Sequence, residues 1–165
     1  MKAAVAVLVV LSATTSFAAK AEKSDKSDDE KTVAHATLDK LVAALNAGDA
    51  NAFMSGFIEE GVVGDPFGRT GKGKADATKI IVENVNTLLQ GTKSKATLEG
   101  ARKLGHDAIL IDASVEHENA LMLNGSRGTG GTRWTLALVK KGKTWMVTDL
   151  RLYMFWPPPP PAPAK

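Results

Sequence analysis

Few residue types in this sequence could do chemistry. There is no cysteine among the 165 residues, which removes disulfides and thiolate catalysis. The three histidines, His35, His106 and His117, fall in separate segments with no cluster of carboxylates around them, so no metal site is expected. His117 does lie between Glu116 and Glu118, but successive residues of a strand face opposite sides. Gly68-Arg69-Thr70-Gly71-Lys72-Gly73-Lys74 has the G-x-x-x-x-G-K spacing of a phosphate-binding loop. Ala75 follows where a hydroxyl should hold magnesium, and the stretch reads instead as a basic, flexible turn before a helix. Gly125, Gly128, Gly130 and Gly131 match a dinucleotide fingerprint in composition only, because they lead into a strand and no helix N-terminus awaits a pyrophosphate. No G-x-S-x-G elbow is present. No metal and no cofactor is therefore expected. Asp65 survives this sieve with two readings. An aspartate before Pro66 caps a turn by accepting from the backbone two residues on, and the same carboxylate could face a pocket. Tyr153 is the other residue of interest, since a buried phenol needs a partner and Asp149 and Arg151 share its strand face.

The elements that must position these residues follow from apolar spacing. Thr32 sits at an N-cap position, and Val33, Leu38, Leu41, Val42 and Leu45 repeat with helical period up to Gly48. Asp49 caps a shorter helix through Phe53, Phe57 and Ile58, ended by Gly61. Val62-Val63 open a short strand that Pro66 stops. Ala75 to Gln90 is a third helix, with Ile80, Ile81, Val85, Leu88 and Leu89 on its apolar side. From Gly91 the period becomes two. Strands are expected over Ser94 to Leu104, Ala108 to Glu118, Thr132 to Lys140 and Lys143 to Phe155, with a flexible glycine-rich connection at Asn124 to Gly131 and a tight turn at Lys141-Gly142. Helices followed by a meander give an α+β domain, a curved antiparallel sheet closed by three N-terminal helices. Such a cone encloses space for a small ligand.

The two ends organise differently. Lys2, the apolar run Ala3 to Leu11 and the small residues up to Ala18 have the grammar of a secretory signal peptide over residues 1–18, so a periplasmic or secreted location is expected. Residues 19–31 are charged and small enough to read as a disordered linker. The folded domain is expected over residues 32–156, and the proline-rich tail 157–165 should be a stiff spacer. With 21 basic and 18 acidic residues the net charge is only +3, too small and too evenly spread for a nucleic-acid binder. No stable membrane span is expected once the signal is removed, because the apolar run is too short to cross about 30 Å of hydrocarbon.

Ala47-Gly48-Asp49-Ala50, Phe53 and Phe57, and then Val62-Val63-Gly64-Asp65-Pro66-Phe67-Gly68 resemble the nuclear transport factor 2-like superfamily, and so does Gly142-Lys143-Thr144-Trp145-Met146-Val147 near the end. Within it the chain is most similar to SnoaL-like and ketosteroid-isomerase-like domains. The resemblance implies that Asp65 is a general base, its pKa raised by an apolar pocket. It places Leu41 where the isomerases have an oxyanion-binding tyrosine, and Thr135 near the partner acid. Leucine cannot donate a hydrogen bond, and losing one such donor costs about 100- to 1,000-fold in rate, so a true ketosteroid isomerase is not expected. The candidate pocket comprises Leu41, Leu45, Phe57, Phe67, Trp134, Thr135 and Tyr153, with the apolar ones also readable as plain core. Two functions follow. One is an exported domain binding a small apolar molecule, with isomerase, lyase or cyclase chemistry at Asp65. The other is a non-catalytic interaction module, and a homodimer through the sheet is expected from the resemblance.

Overall fold

The computed structural model describes residues 29–154. The expected signal peptide, most of the expected linker, Phe155, Trp156 and the proline-rich tail lie outside the described residues. Helix α1 (Glu30–Asn46) starts earlier than the apolar spacing suggests. Asp29 is its cap, and its carboxylate accepts from the Thr32 backbone N–H and hydroxyl, both at 3.2 Å. The last residues of the expected linker, Glu30 and Lys31, are thus helical. Val33, Ala34, Leu38, Leu41, Ala44 and Leu45 form its buried stripe. Gly48 takes φ of 68° to reverse the chain, and the Asp49 carboxylate caps α2 (Ala50–Met54) at Ala52 N, 2.8 Å away.

The second helix stops sooner than its apolar residues suggest. Phe57 and Ile58 belong instead to strand β1 (Phe57–Gly64). The reason is non-local, because Phe57 pairs with Val147 and the Val147 N–H reaches Gly56 O at 2.9 Å, almost a hundred residues on. Strand β2 (Thr70–Lys72) folds back on β1, so the basic glycine-rich stretch holds a short paired strand rather than a free turn. Gly71 is required there. A Cβ at that position would lie 2.6 Å from the backbone N and Cα of Ala77, on helix α3 (Lys74–Asn86).

Strands β3 (Lys93–Lys103), β4 (Ala108–Leu121), β5 (Arg127–Lys141) and β6 (Thr144–Met154) form the long meander. Gly142 with φ of 63° starts the two-residue turn between β5 and β6. The sheet order is β2-β1-β6-β5-β4-β3. The sheet is mixed, not wholly antiparallel, because β1 runs parallel to β6. No hairpin joins those two strands, so no turn dictates their relative direction. The expected glycine-rich connection is also shorter. Gly125 makes the turn with φ of 80°, but Gly128, Gly130 and Gly131 are already in β5, paired with Ala120, His117 and Glu116.

Alternation sorts the long strands into two faces. Ile109, Ile111, Ala113 and Val115 of β4, and Trp134, Leu136 and Leu138 of β5, pack inward against α1, α2 and α3. Phe53 stacks on Phe57 at 5.9 Å between ring centres and meets Trp134 edge-on at 6.0 Å. The outer face is polar, with Thr135 donating to Asp112 at 2.9 Å, Arg151 bonded twice to Asp149, and Arg133 paired with Glu99.

Candidate functional site

Between α3 and the inner face of the sheet is a cavity of about 520 Å³. Ile81, Asn84 and Val85 of α3, with Leu88 and Leu89 after it, form one wall. The opposite wall comes from the end of β4 (His117, Ala120, Leu121), the start of β5 (Gly130, Thr132, Trp134) and the end of β6 (Leu152, Met154). Phe53 and Leu45 add to the apolar lining. Gly130 is on the inward side of β5, and its lack of a side chain leaves room there. Phe67, Met122 and Leu123 line the cavity while remaining exposed, Leu123 at 63%. An apolar rim on an apolar cavity suits a sparingly soluble ligand.

The polar groups of the wall are few and ordered. His117 is buried, with Nδ1 at 2.8 Å from Ser94 Oγ and Nε2 at 2.9 Å from Thr132 Oγ1. Burial pushes its pKa down from 6.5 to about 4, so the ring is neutral at neutral pH. The Trp134 indole N–H also donates to Thr132 Oγ1, at 2.9 Å. On the other wall Asn84 Oδ1 accepts from Arg69 Nη2 at 3.1 Å. Arg69 is the hub of that corner, donating to Asp65 Oδ2 at 2.6 Å and to Glu83 at 2.7 Å. These carboxylates, Asp65 first, raise the pKa of its guanidinium further above the ordinary value.

The residues singled out in the sequence divide among three places. Leu45, Phe67 and Trp134 line the cavity. Leu41 and Phe57 do not, and are packed in the core instead. Thr135 and Tyr153 point to the outer face, one residue out of phase with Trp134 and Leu152. Tyr153 is 53% exposed, so its phenol needs no buried partner, and Arg151 pairs with Asp149 instead. Asp65 is buried but stands outside the large cavity, beside a smaller cleft with Arg69, Arg151 and Tyr153. Its Oδ1 accepts from the backbone N–H groups of Phe67 at 3.0 Å and Arg69 at 2.9 Å, which is the turn-capping geometry, while Oδ2 is held by Arg69.

His117, Thr132 and Asn84 were missed. The signal for His117 was present, since it continues the inward alternation of Ile109, Ile111, Ala113 and Val115. Thr132 likewise continues Trp134, Leu136 and Leu138. Asn84 had only its place beside Val85 on the apolar side of α3. Among the described residues no group of histidines and carboxylates could hold a metal ion.

No protein-family model matches the sequence, and no curated protein does. Solved structures do. A protein from Caulobacter vibrioides with a cystatin-like fold matches at a TM-score of 0.69 and 17% identity, over 78% of this chain and 91% of that one. The chain has a cystatin-like fold. A ketosteroid isomerase-like protein from Erwinia carotovora atroseptica shares the cystatin-like architecture, at a TM-score of 0.67 and 16% identity over 79% of this chain and 99% of that one. A protein from Novosphingobium aromaticivorans, provisionally a scytalone dehydratase, matches at 0.63 and 12% identity over 77% of this chain and 85% of that one. This agrees with the resemblance to the nuclear transport factor 2-like superfamily, and at such identities the cystatin-like likeness is one of fold.

Proposed function

We propose that this chain is an exported domain that binds a small, neutral, mainly apolar molecule in the cavity between α3 and the sheet. The observation that carries the reading is the cavity of about 520 Å³, apolar over most of its wall and edged by exposed Phe67, Met122 and Leu123. Ligand sites of this size and character bury most of a small molecule and fix it with a few polar groups. Export rests on the signal grammar of residues 1–18. Acid–base chemistry at Asp65 would require its carboxylate to leave Arg69 and two backbone N–H groups, so the reading stops at binding. The second reading, an interaction module or homodimer through the outer face, has less support, because that face carries the polar pairs Asp112–Thr135, Asp149–Arg151 and Glu99–Arg133.

A thermal-shift screen with apolar ring compounds tests the reading. Ligand at about 100 times its dissociation constant adds roughly 2.7 kcal/mol. For a domain of this size that raises Tm by about 10 °C. No shift with any compound, together with a dimer in solution, would favour the interaction module.

A further inference from the structure

The hydrogen bonds around His117 and Asn84 fix the polarity of the cavity. A neutral imidazole carries one N–H, and an indole nitrogen can only donate. Suppose the proton sat on His117 Nδ1. Ser94 would then be the acceptor, and its own O–H, in a residue 6% exposed, would have no acceptor among the described residues. A buried donor left unmade is costly. With the proton on Nε2 the buried donors of Ser94 and His117 are both satisfied. The Ser94 O–H donates to Nδ1, and Nε2–H donates to Thr132 Oγ1. Trp134 Nε1–H already donates to the same oxygen. Both lone pairs of Thr132 Oγ1 are then filled, and its own hydrogen is the one left over, on a residue of the cavity wall.

Asn84 arrives at the same polarity by a different route. Guanidinium has no acceptor, so the atom facing Arg69 Nη2 must be the amide oxygen. The amide Nδ2 is the opposite end, without an acceptor among the described residues, and Asn84 lines the cavity.

We propose that Thr132 Oγ1–H and Asn84 Nδ2–H are the specificity-determining donors of the cavity, selecting apolar ligands that carry a neutral acceptor such as a ketone, ester or ether oxygen over plain hydrocarbons. This inference rests on the binding reading above. It makes Trp134, His117 and Ser94 positioning residues for Thr132, and Arg69, held by Asp65 and Glu83, the positioning residue for Asn84.

The test compares 2-acetylnaphthalene with 2-isopropenylnaphthalene, in which a methylene replaces the carbonyl oxygen, by titration into the full chain. The wild type should prefer the ketone by about five- to tenfold, the net worth of one neutral hydrogen bond. Thr132→Ser keeps the preference, whereas Thr132→Val removes most of it. Asn84→Asp, which keeps an acceptor for Arg69 and deletes the N–H, also lowers it. Equal binding of the two compounds by the wild type overturns the donor assignment and leaves apolar binding standing. Binding of neither overturns both. A preference unchanged in Thr132→Val and Asn84→Asp overturns the two residues named. Nitrogen-15 spectra of the wild-type histidines provide a check that needs no variant to fold, since a proton found on His117 Nδ1 overturns the assignment of Thr132.

Discussion

At the residue scale His117 and Asp65 show how environment sets what a titratable group does. His35 and His106 are exposed, so His117 is the one buried imidazole among the described residues. Its pKa falls from 6.5 to about 4 in the fold, a difference of about 3 kcal/mol between the two protonation states. Between those values the unfolded chain binds the proton and the native one does not, so stability rises with pH across the window. Denaturant melts should therefore show stability falling from about pH 6.5 towards pH 4, and His117→Gln should flatten that part of the profile. Asp65 has a different task. Its bonds to Phe67 N, Arg69 N and Arg69 Nε tie the loop after β1 to α3 through Glu83 and Asn84. Asp65→Asn should cost about 1.5–3 kcal/mol in denaturant melts, since the amide keeps one acceptor oxygen and its NH2 must face a donor, either Arg69 Nε or the backbone N–H groups. The same variant should leave the Kd for a plain hydrocarbon, which does not use the Asn84 donor, within about twofold, whereas a general base would show lost turnover with stability intact.

Elements determine where the space is. The register shift in β4 between His117 and Ala120 coincides with Asn119 at φ of 60°, which asparagine tolerates better than most residues. That segment is tied across to the chain after α3, where Arg127 donates to Gln90 O and Asn119 O, and the Leu121 N–H reaches Leu88 O at 3.0 Å. Opposite His117, the glycines at the start of β5 keep the wall open. A Cβ at Gly130 would meet Met122 Sδ at 3.5 Å, an ordinary contact, so a larger side chain can be accommodated by projecting into the cavity. Gly130→Leu should leave the melting temperature within a few degrees and weaken ligand binding at least tenfold, read by the same thermal shift. A variant that binds as well as the wild type would place the ligand elsewhere.

Over the whole molecule, the predictable part of the sequence was its local grammar. Composition excluded disulfides, and the cleavage grammar makes a further expectation, that the mass of exported protein begins at Ala19. Among the described residues no helix is long and apolar enough to cross a membrane. Helical spacing in α1 and α3, period two in β3 to β6, and the turn at Gly142 were all readable, because each depends on residues a few positions apart. Most of the core was readable for the same reason, since alternation assigns a face to every strand residue. Long-range pairing was not. Phe57 and Ile58 look helical beside Phe53 until Phe57 pairs with Val147 and the chain enters β1, and no local signal says that β1 will run alongside a strand formed at the other end of the domain. The site was divided in the same way. Trp134 and Leu45 could be nominated as apolar, but Thr135 was nominated in place of Thr132, and a shift of this kind between odd and even positions exchanges the inner for the outer face. Sequence alone therefore determined the α+β order and the core stripes, and it left Asp65 with two readings that only the hydrogen bonds to Phe67 N, Arg69 N and Arg69 Nε tell apart. Only the tertiary structure decided that His117 and Asn84 meet Thr132 around one cavity, because their hydrogen bonds join β3, β4, β5, α3 and the loop after β1 across distances in the chain that no spacing rule spans.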